Sequence, residues 1–379
     1  MCAQVPYNGT DGAATGLGAN MAGMFEGSLT RRGFVGALAG TLGASLLAGC
    51  SKKQEEKPVE EFPEDLSGSL EYLALVNKQH KIADAWRDTF EFVSYTNSEG
   101  QVVELETKAN DAFVSLKSDL ESDGVHIDLA SAFVSVDDQQ KLMDELTEEQ
   151  GAVYAEHHMT APGFSEYHTG LALDLYPVIA GEAVTDKAEM ATHPKVWEKV
   201  HAKLADHGFI LRCPAGKKVI TGYSYEPWHI RYVDSAEVAH EIMDGGLTLE
   251  EYLDMVDPMV AGCVVDYGTS ELFTEADMDA ALDAILEQFG MWKGCVMRRI
   301  AFTDDKTCTD DLEYVNTLRA EDTKEFDQAI VFVSDFHSPV GEDAVDSVWD
   351  ADTDYDDFSW HLGRTGADGA WRLLTWGYA

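Results

Sequence analysis

Two short segments constrain this chain more than anything else in it. They are Pro162-Gly163-Phe164-Ser165-Glu166-Tyr167-His168-Thr169-Gly170-Leu171-Ala172-Leu173-Asp174 and, further on, Glu226-Pro227-Trp228-His229-Ile230-Arg231-Tyr232. The small residues of Gly170-Leu171-Ala172-Leu173 let the backbone approach closely just before Asp174. Glu226 and His229 stand three apart, so one turn or strand end can aim both at a common point. Histidine, aspartate and glutamate are the donor types of a hydrolytic zinc site. Such a site needs three protein ligands, an open position for water and a carboxylate to take that water's proton. Trp228 would pack beside this group, and Arg231 could orient a carboxylate.

The surrounding pattern is α+β, with the polar chemistry on strand ends and loops. Ala109, Phe113, Leu116 and Leu120 recur at helical spacing, and Gly124 ends that helix. A second helix follows Asp137-Asp138, turns Leu142, Met143 and Leu146 inward and stops at Gly151. A third runs from Pro194 through Trp197, Val200 and Leu204 to Gly208. Asp234 with Glu237, and Thr248 with Glu251, have the spacing of capping boxes that open two more. Short apolar or alternating runs lie between, at 127–133, 170–178, 209–212 and 229–233. A second domain begins near residue 265. There Thr274 and Asp277 cap a helix with Met278, Ala281, Ile285 and Phe289 inward. Strand-like runs over 295–302, 327–336, 356–362 and 371–378 follow, separated by loops such as Asp304-Asp305. Asp335, His337 and His361 in this half read as ordinary polar residues of a sheet.

The 379 residues suit two domains and a leader. With 69 acidic against 27 basic residues the formal charge is −42, which argues against nucleic acid or an anionic membrane as a charge-driven partner. Thr30-Arg31-Arg32-Gly33-Phe34-Val35 reads as a twin-arginine export signal. Leu46-Leu47-Ala48-Gly49-Cys50 resembles a bacterial lipobox, with Cys50 as the acylated anchor. The apolar run 34–49 is too short to span a bilayer, so Cys50 is expected to hold the protein at the outer face of the bacterial cytoplasmic membrane. The expected division is a signal peptide over 1–49, a tether over 50–67, a core domain over 68–247, a connector over 248–264 and an accessory domain over 265–379. Of the remaining cysteines, Cys295 and Cys308 flank an expected turn and are the first choice for a disulfide over Cys213 and Cys263.

The two segments resemble the VanY-type D-alanyl-D-alanine carboxypeptidases. That family's pattern reads Ser-x-His-x-x-Gly-x-Ala-x-Asp and then Glu-x-Trp-His-x-Arg-Tyr, with a small variation in spacing. The likeness runs from Leu75-Val76-Asn77-Lys78 through 131–140 to Val233. It implies a D-Ala-D-Ala carboxypeptidase-like zinc peptidase domain followed by a smaller C-terminal α+β domain, a helix and then antiparallel strands. It also implies zinc-dependent removal of the terminal D-alanine from peptidoglycan stem peptides. Asp174 and His229 then resemble zinc ligands, Glu226 the general base, and Arg231 a charge-holding catalytic group. Ser165, Gln139 and Trp228 resemble substrate-binding residues. Ser165, Gly170, Ala172 and Asp174 fall on the pattern, but Tyr167 stands at the first-ligand place and His168 one later. Val134 replaces an arginine of the family's Ser-x-Tyr-Arg-Ser stretch. In extended chain a one-residue slip turns a side chain to the opposite face. The third ligand is therefore His168 or Tyr167. The function is either hydrolysis or recognition of peptidoglycan peptides without turnover.

Overall fold

The computed structural model describes residues 71–83, 86–151, 155, 159–320, 324–344, 347–367 and 369–378. The expected leader, the tether and Cys50 lie outside these residues.

The first half starts with a hairpin that sequence reading missed, β1 (Phe92–Thr96) and β2 (Val102–Glu106). Asn97 folds its turn, accepting from the Glu99 and Gln101 amides, while its own amide donates to Leu129 O. The chain then enters α1 (Thr107–Ser122), capped by the Glu106 carboxylate, with the expected face of Ala109, Phe113, Leu116 and Leu120 buried. After β3 (Ile127–Ser131) comes α2 (Val136–Gln150), capped by Ser135. Here Gln139 is the fully buried residue, while Leu142, Met143 and Leu146 are only half-covered. Next are β4 (Ala172–Ile179), β5 (Glu182–Ala183), α3 (Lys187–Ala191), α4 (Pro194–Leu204), β6 (Phe209–Leu211) and β7 (His229–Tyr232).

These strands form one sheet in the order β3-β4-β7-β6, with β5 attached to β4. Leu116 and Leu120 of α1 and Trp197, Val200 and Leu204 of α4 pack with Leu173, Phe209 and Ile230 of the sheet in a single core. Burying such side chains contributes roughly 1.5–3 kcal/mol each, so the sheet that carries the two sequence segments is rigidly backed. Beyond it, α5 (Ala236–Asp244) is capped by Ser235 and not by Asp234 as expected. Asp234 has a left-handed φ of 74° and pairs instead with Lys108. The Thr248–Glu251 box opens α6 (Leu249–Tyr252) as the spacing predicts.

The C-terminal half is a five-stranded sheet ordered β12-β11-β10-β9-β8. β8 (Val264–Asp266) runs parallel to β9 (Val296–Phe302). β10 (Gln328–His337), β11 (Asp354–Arg364) and β12 (Arg372–Gly377) are antiparallel neighbours. α7 (Glu275–Phe289) lies on the sheet, its Met278, Ala281, Leu282, Ile285 and Phe289 packed with Ile300, Phe332, Trp360 and Leu362. The Thr274–Asp277 capping box is present. Thr274→Ala is expected to cost about 1 kcal/mol, read as a lower urea midpoint at unchanged slope. An unmoved midpoint would show that packing alone sets this helix start.

A further helix, α8 (Asp305–Leu318), replaces the loop expected at Asp304-Asp305. Asp304 caps it, accepting from the Thr307 amide at 2.8 Å. Only Cys308 and Val315 of α8 are fully buried, so its apolar periodicity is weak in the sequence. The helix also corrects the expected disulfide: Cys308 sits in it, Cys295 lies before β9, and both thiols are free and buried. Burial pushes each thiol up to about 11.

Candidate functional site

On β4 and β7, Asp174 faces His229 and Ala172 faces Arg231. Directly opposed residues of antiparallel strands point to one face, so the register alone brings the two sequence segments into contact. Just before β4, residues Glu166–Thr169 form a 3-10 turn that ends at Gly170, whose φ is 70°. Successive side chains of such a turn point about 120° apart. Glu166, Tyr167 and His168 therefore diverge in three directions, and the flip between two faces expected for extended chain does not apply.

Glu166 passes beneath the histidine. Its Oε1 accepts from Arg212 Nε at 2.9 Å and Arg231 Nη1 at 2.7 Å, and its Oε2 lies 3.3 Å from His229 Nε2. Burial alone would raise this carboxyl, but the two guanidinium groups prevail and hold it far below the usual range. Arg212 is anchored in turn by Glu250, at 2.6 and 3.1 Å, and Asn77 donates to the same carboxylate. A carboxylate behind a histidine is the arrangement that orients a metal ligand.

The front of the ring is different. His229 Nδ1 lies 2.7 Å from Asp174 Oδ1 and 3.2 Å from the Tyr167 hydroxyl, which also hydrogen-bonds Asp174. Burial opposes ionisation of Asp174, but the His229 hydrogen bond and charge, with Lys187 nearby, bring its carboxyl below its ordinary value. Both nitrogens of His229 thus face carboxylates that only accept.

His168, offered as a ligand, is buried and turned away. Its Nδ1 donates to Val134 O at 2.7 Å, and its Nε2 accepts from the Gly163 amide at 3.0 Å. Both ring nitrogens are committed, in one neutral tautomer, and burial holds its pKa below the usual value. Tyr167 reaches the place His168 does not.

These donors do not fit a zinc centre. Two ligands about 2.0–2.1 Å from one tetrahedral zinc stand roughly 3.3 Å apart, whereas Asp174 Oδ1 and His229 Nδ1 are at direct hydrogen-bond distance, 2.7 Å. Among the described residues no group of three or more His, Cys, Asp or Glu side chains could hold a metal ion.

The remaining expected residues divide. Glu226 reaches the site through Lys187, whose ammonium is 3.8 Å from Glu226 Oε1 and 3.7 Å from Asp174 Oδ2. Trp228 lies under the same ammonium, 5.3 Å from ring centre to nitrogen. Ser165 is buried at the start of the 3-10 turn without capping it. Gln139 donates to Thr160 O. Arg231 is a correction to the catalytic role expected of it. Fully buried, it donates to Glu166 and to the carbonyls of Tyr72, Ala74 and Tyr232, which makes it a structural clamp. Sequence reading missed Glu166, Arg212, Glu250 and Lys187. Glu166 sits inside the motif at a variable place, and the other three carry no local signal.

The D-alanyl-D-alanine carboxypeptidase (VanY) family description matches residues 102–235, a span that holds both segments. A Bacillus subtilis protein named only provisionally as a carboxypeptidase, YodJ, is 33% identical over 188 residues, which cover 48% of this chain and 67% of that protein. An Enterococcus faecalis D-alanyl-D-alanine carboxypeptidase is 33% identical over 191 residues, covering 48% of this chain and 65% of that protein. A solved mutant of a vancomycin-resistance D,D-pentapeptidase VanY, in complex with Zn(II), is 32% identical. That match covers 48% of this chain and 99% of the other, with a TM-score of 0.39. With both segments inside the matched span and a third of the residues shared across two thirds of a relative, this chain belongs to the VanY-type D-alanyl-D-alanine carboxypeptidase family.

Proposed function

We propose that this protein recognises peptidoglycan stem peptides ending in D-alanine and holds them without zinc-dependent hydrolysis. The observation that carries this reading is the closed Tyr167–His229–Asp174 cluster at the place where a peptidase of this family would hold its metal. Retained recognition draws support from family membership and from three buried polar atoms without a hydrogen-bond partner among the described residues. They are Gln139 Oε1, Trp228 Nε1 and Glu226 Oε2, all on residues that the family pattern assigns to substrate or catalysis. An unsatisfied buried group costs roughly 1–3 kcal/mol, and a peptide's amides and carboxyl group are suited to relieve it. The twin arginines at 31–32 and the lipobox ending at Cys50 support export and lipid anchoring at the cell envelope.

A hydrolase reading has one observation in its favour. The Tyr167 hydroxyl is 3.2 Å from His229 Nδ1, near the spacing of two ligands on one zinc. The test is a calorimetric titration of the purified protein, in zinc-containing buffer, with a stem pentapeptide ending D-Ala-D-Ala, together with an assay of free D-alanine. Saturable binding without D-alanine release is expected. Stoichiometric zinc with steady release would establish the hydrolase, and no binding at all would remove both readings.

A further inference from the structure

We propose that Lys187 is the built-in cation of this site, taking beside Asp174 and Glu226 the electrostatic role that a divalent ion has in a metallopeptidase. The inference rests on the non-hydrolytic reading above and adds to it a further, electrostatic obstacle to zinc.

Lys187 is the first residue of α3, and its position is set by the Asp186 cap, which accepts from the Glu189 amide at 2.8 Å. From there the side chain crosses the Trp228 ring and brings its ammonium to Asp174 Oδ2 and Glu226 Oε1, at 3.7 and 3.8 Å. The two carboxylates are nearly sealed from solvent, with 9% and 6% side-chain exposure, against 31% for the lysine. Buried carboxylates that share a site repel unless a cation lies between them. His229 lies against Oδ1 of Asp174 and Lys187 against Oδ2, with the Tyr167 hydroxyl also hydrogen-bonded to the carboxylate. Glu226 receives no comparable support from a ring or guanidinium among the described residues, and its second oxygen has no partner. The Lys187 charge thus bridges the two carboxylates, beside His229 at Asp174 and as the ion-pair partner of Glu226. A divalent ion entering between them would sit at ion-pair distance from a resident ammonium, and their mutual repulsion in a poorly solvated pocket opposes its binding. Zinc and Lys187 should therefore compete for the same two carboxylates.

The experiment compares wild type, K187M and K187R by zinc calorimetry and by thermal melting with EDTA or zinc. K187M keeps the stem over Trp228 and removes the charge. It is expected to bind zinc at least tenfold more tightly than wild type, and to lose thermal midpoint in EDTA that zinc restores. K187R, which keeps the charge, should behave as wild type in both. Zinc affinity of K187M within twofold of wild type, or K187R gaining zinc as strongly as K187M, would overturn the proposal. Should K187M fold only in the presence of zinc, that supports it; a misfolded variant that zinc does not rescue counts against it, as does K187Q matching K187R in the same titration. D-alanine release by wild type would sink the non-hydrolytic reading alone, since the ratio of variant to wild-type zinc affinity is read independently of turnover.

Discussion

Glu166→Gln is expected to destabilise the fold by about 3–5 kcal/mol, the usual penalty for removing one member of a buried charge network. One carboxylate accepts from two buried guanidinium groups and faces a histidine. Arg212 retains Glu250 when Glu166 is neutralised. Arg231 keeps hydrogen bonds to the carbonyls of Tyr72, Ala74 and Tyr232 but loses its one hydrogen-bonded carboxylate among the described residues, with Glu250 acting on it only through space. The glutamine amide would in addition aim a donor at other donors. The loss should appear as a lower urea midpoint, and a change below 1 kcal/mol would show that the arginines find other partners.

The same carboxylate contributes to the acid limit. Its folded pKa is depressed below the ordinary 4.5, because the attraction of Arg212 and Arg231 outweighs burial. A depressed carboxyl contributes stability that is present above its unfolded pKa and is lost as pH falls toward the folded value. Wild type should therefore lose stability on acidification below the ordinary carboxylate range. The Glu166→Gln variant, already without that contribution, should show a shallower acid limb.

Gly170→Ala should cost about 2–5 kcal/mol, because two penalties coincide. The left-handed backbone, at φ 70°, carries roughly 1–2 kcal/mol for a residue with a Cβ. The added carbon would stand 2.3 Å from Phe92 Cε1 and 3.3 Å from the Glu106 backbone nitrogen, and such overpacking typically costs about 1–3 kcal/mol. Phe92 has little freedom to yield, since it packs edge-on against Phe133 and under the Arg87 guanidinium. The turn would have to open, carrying Tyr167 away from His229. The variant should therefore lose peptide binding along with thermal midpoint. Full binding at unchanged stability would mean that the turn adapts more readily than its contacts suggest.

Much of the architecture was legible because periodic burial leaves a periodic sequence. The α1 face and the Thr248 and Thr274 caps could be read from spacing alone. The β1–β2 hairpin and α8 could not. The hairpin strands are short, and their turn depends on one asparagine side chain. α8 buries too few residues to leave a stripe. At the site, Asp174 and His229 stand on complementary motifs, and strand register joins them. His168 is the instructive case. Counting positions showed that the histidine was displaced, but the 3-10 turn decided where it went: to Val134 and Gly163, not to the opposite face of a strand.

By itself, then, the amino-acid order determined the family, the two chemistry-bearing segments and the substitution of tyrosine at a ligand place, because these are facts of residue type and spacing. Only the tertiary structure decided which groups neutralise one another. Arg231 became a clamp beneath Glu166, and Lys187 became a counter-ion to Asp174 and Glu226, because the Coulomb interaction depends on distance in space and is blind to distance along the chain.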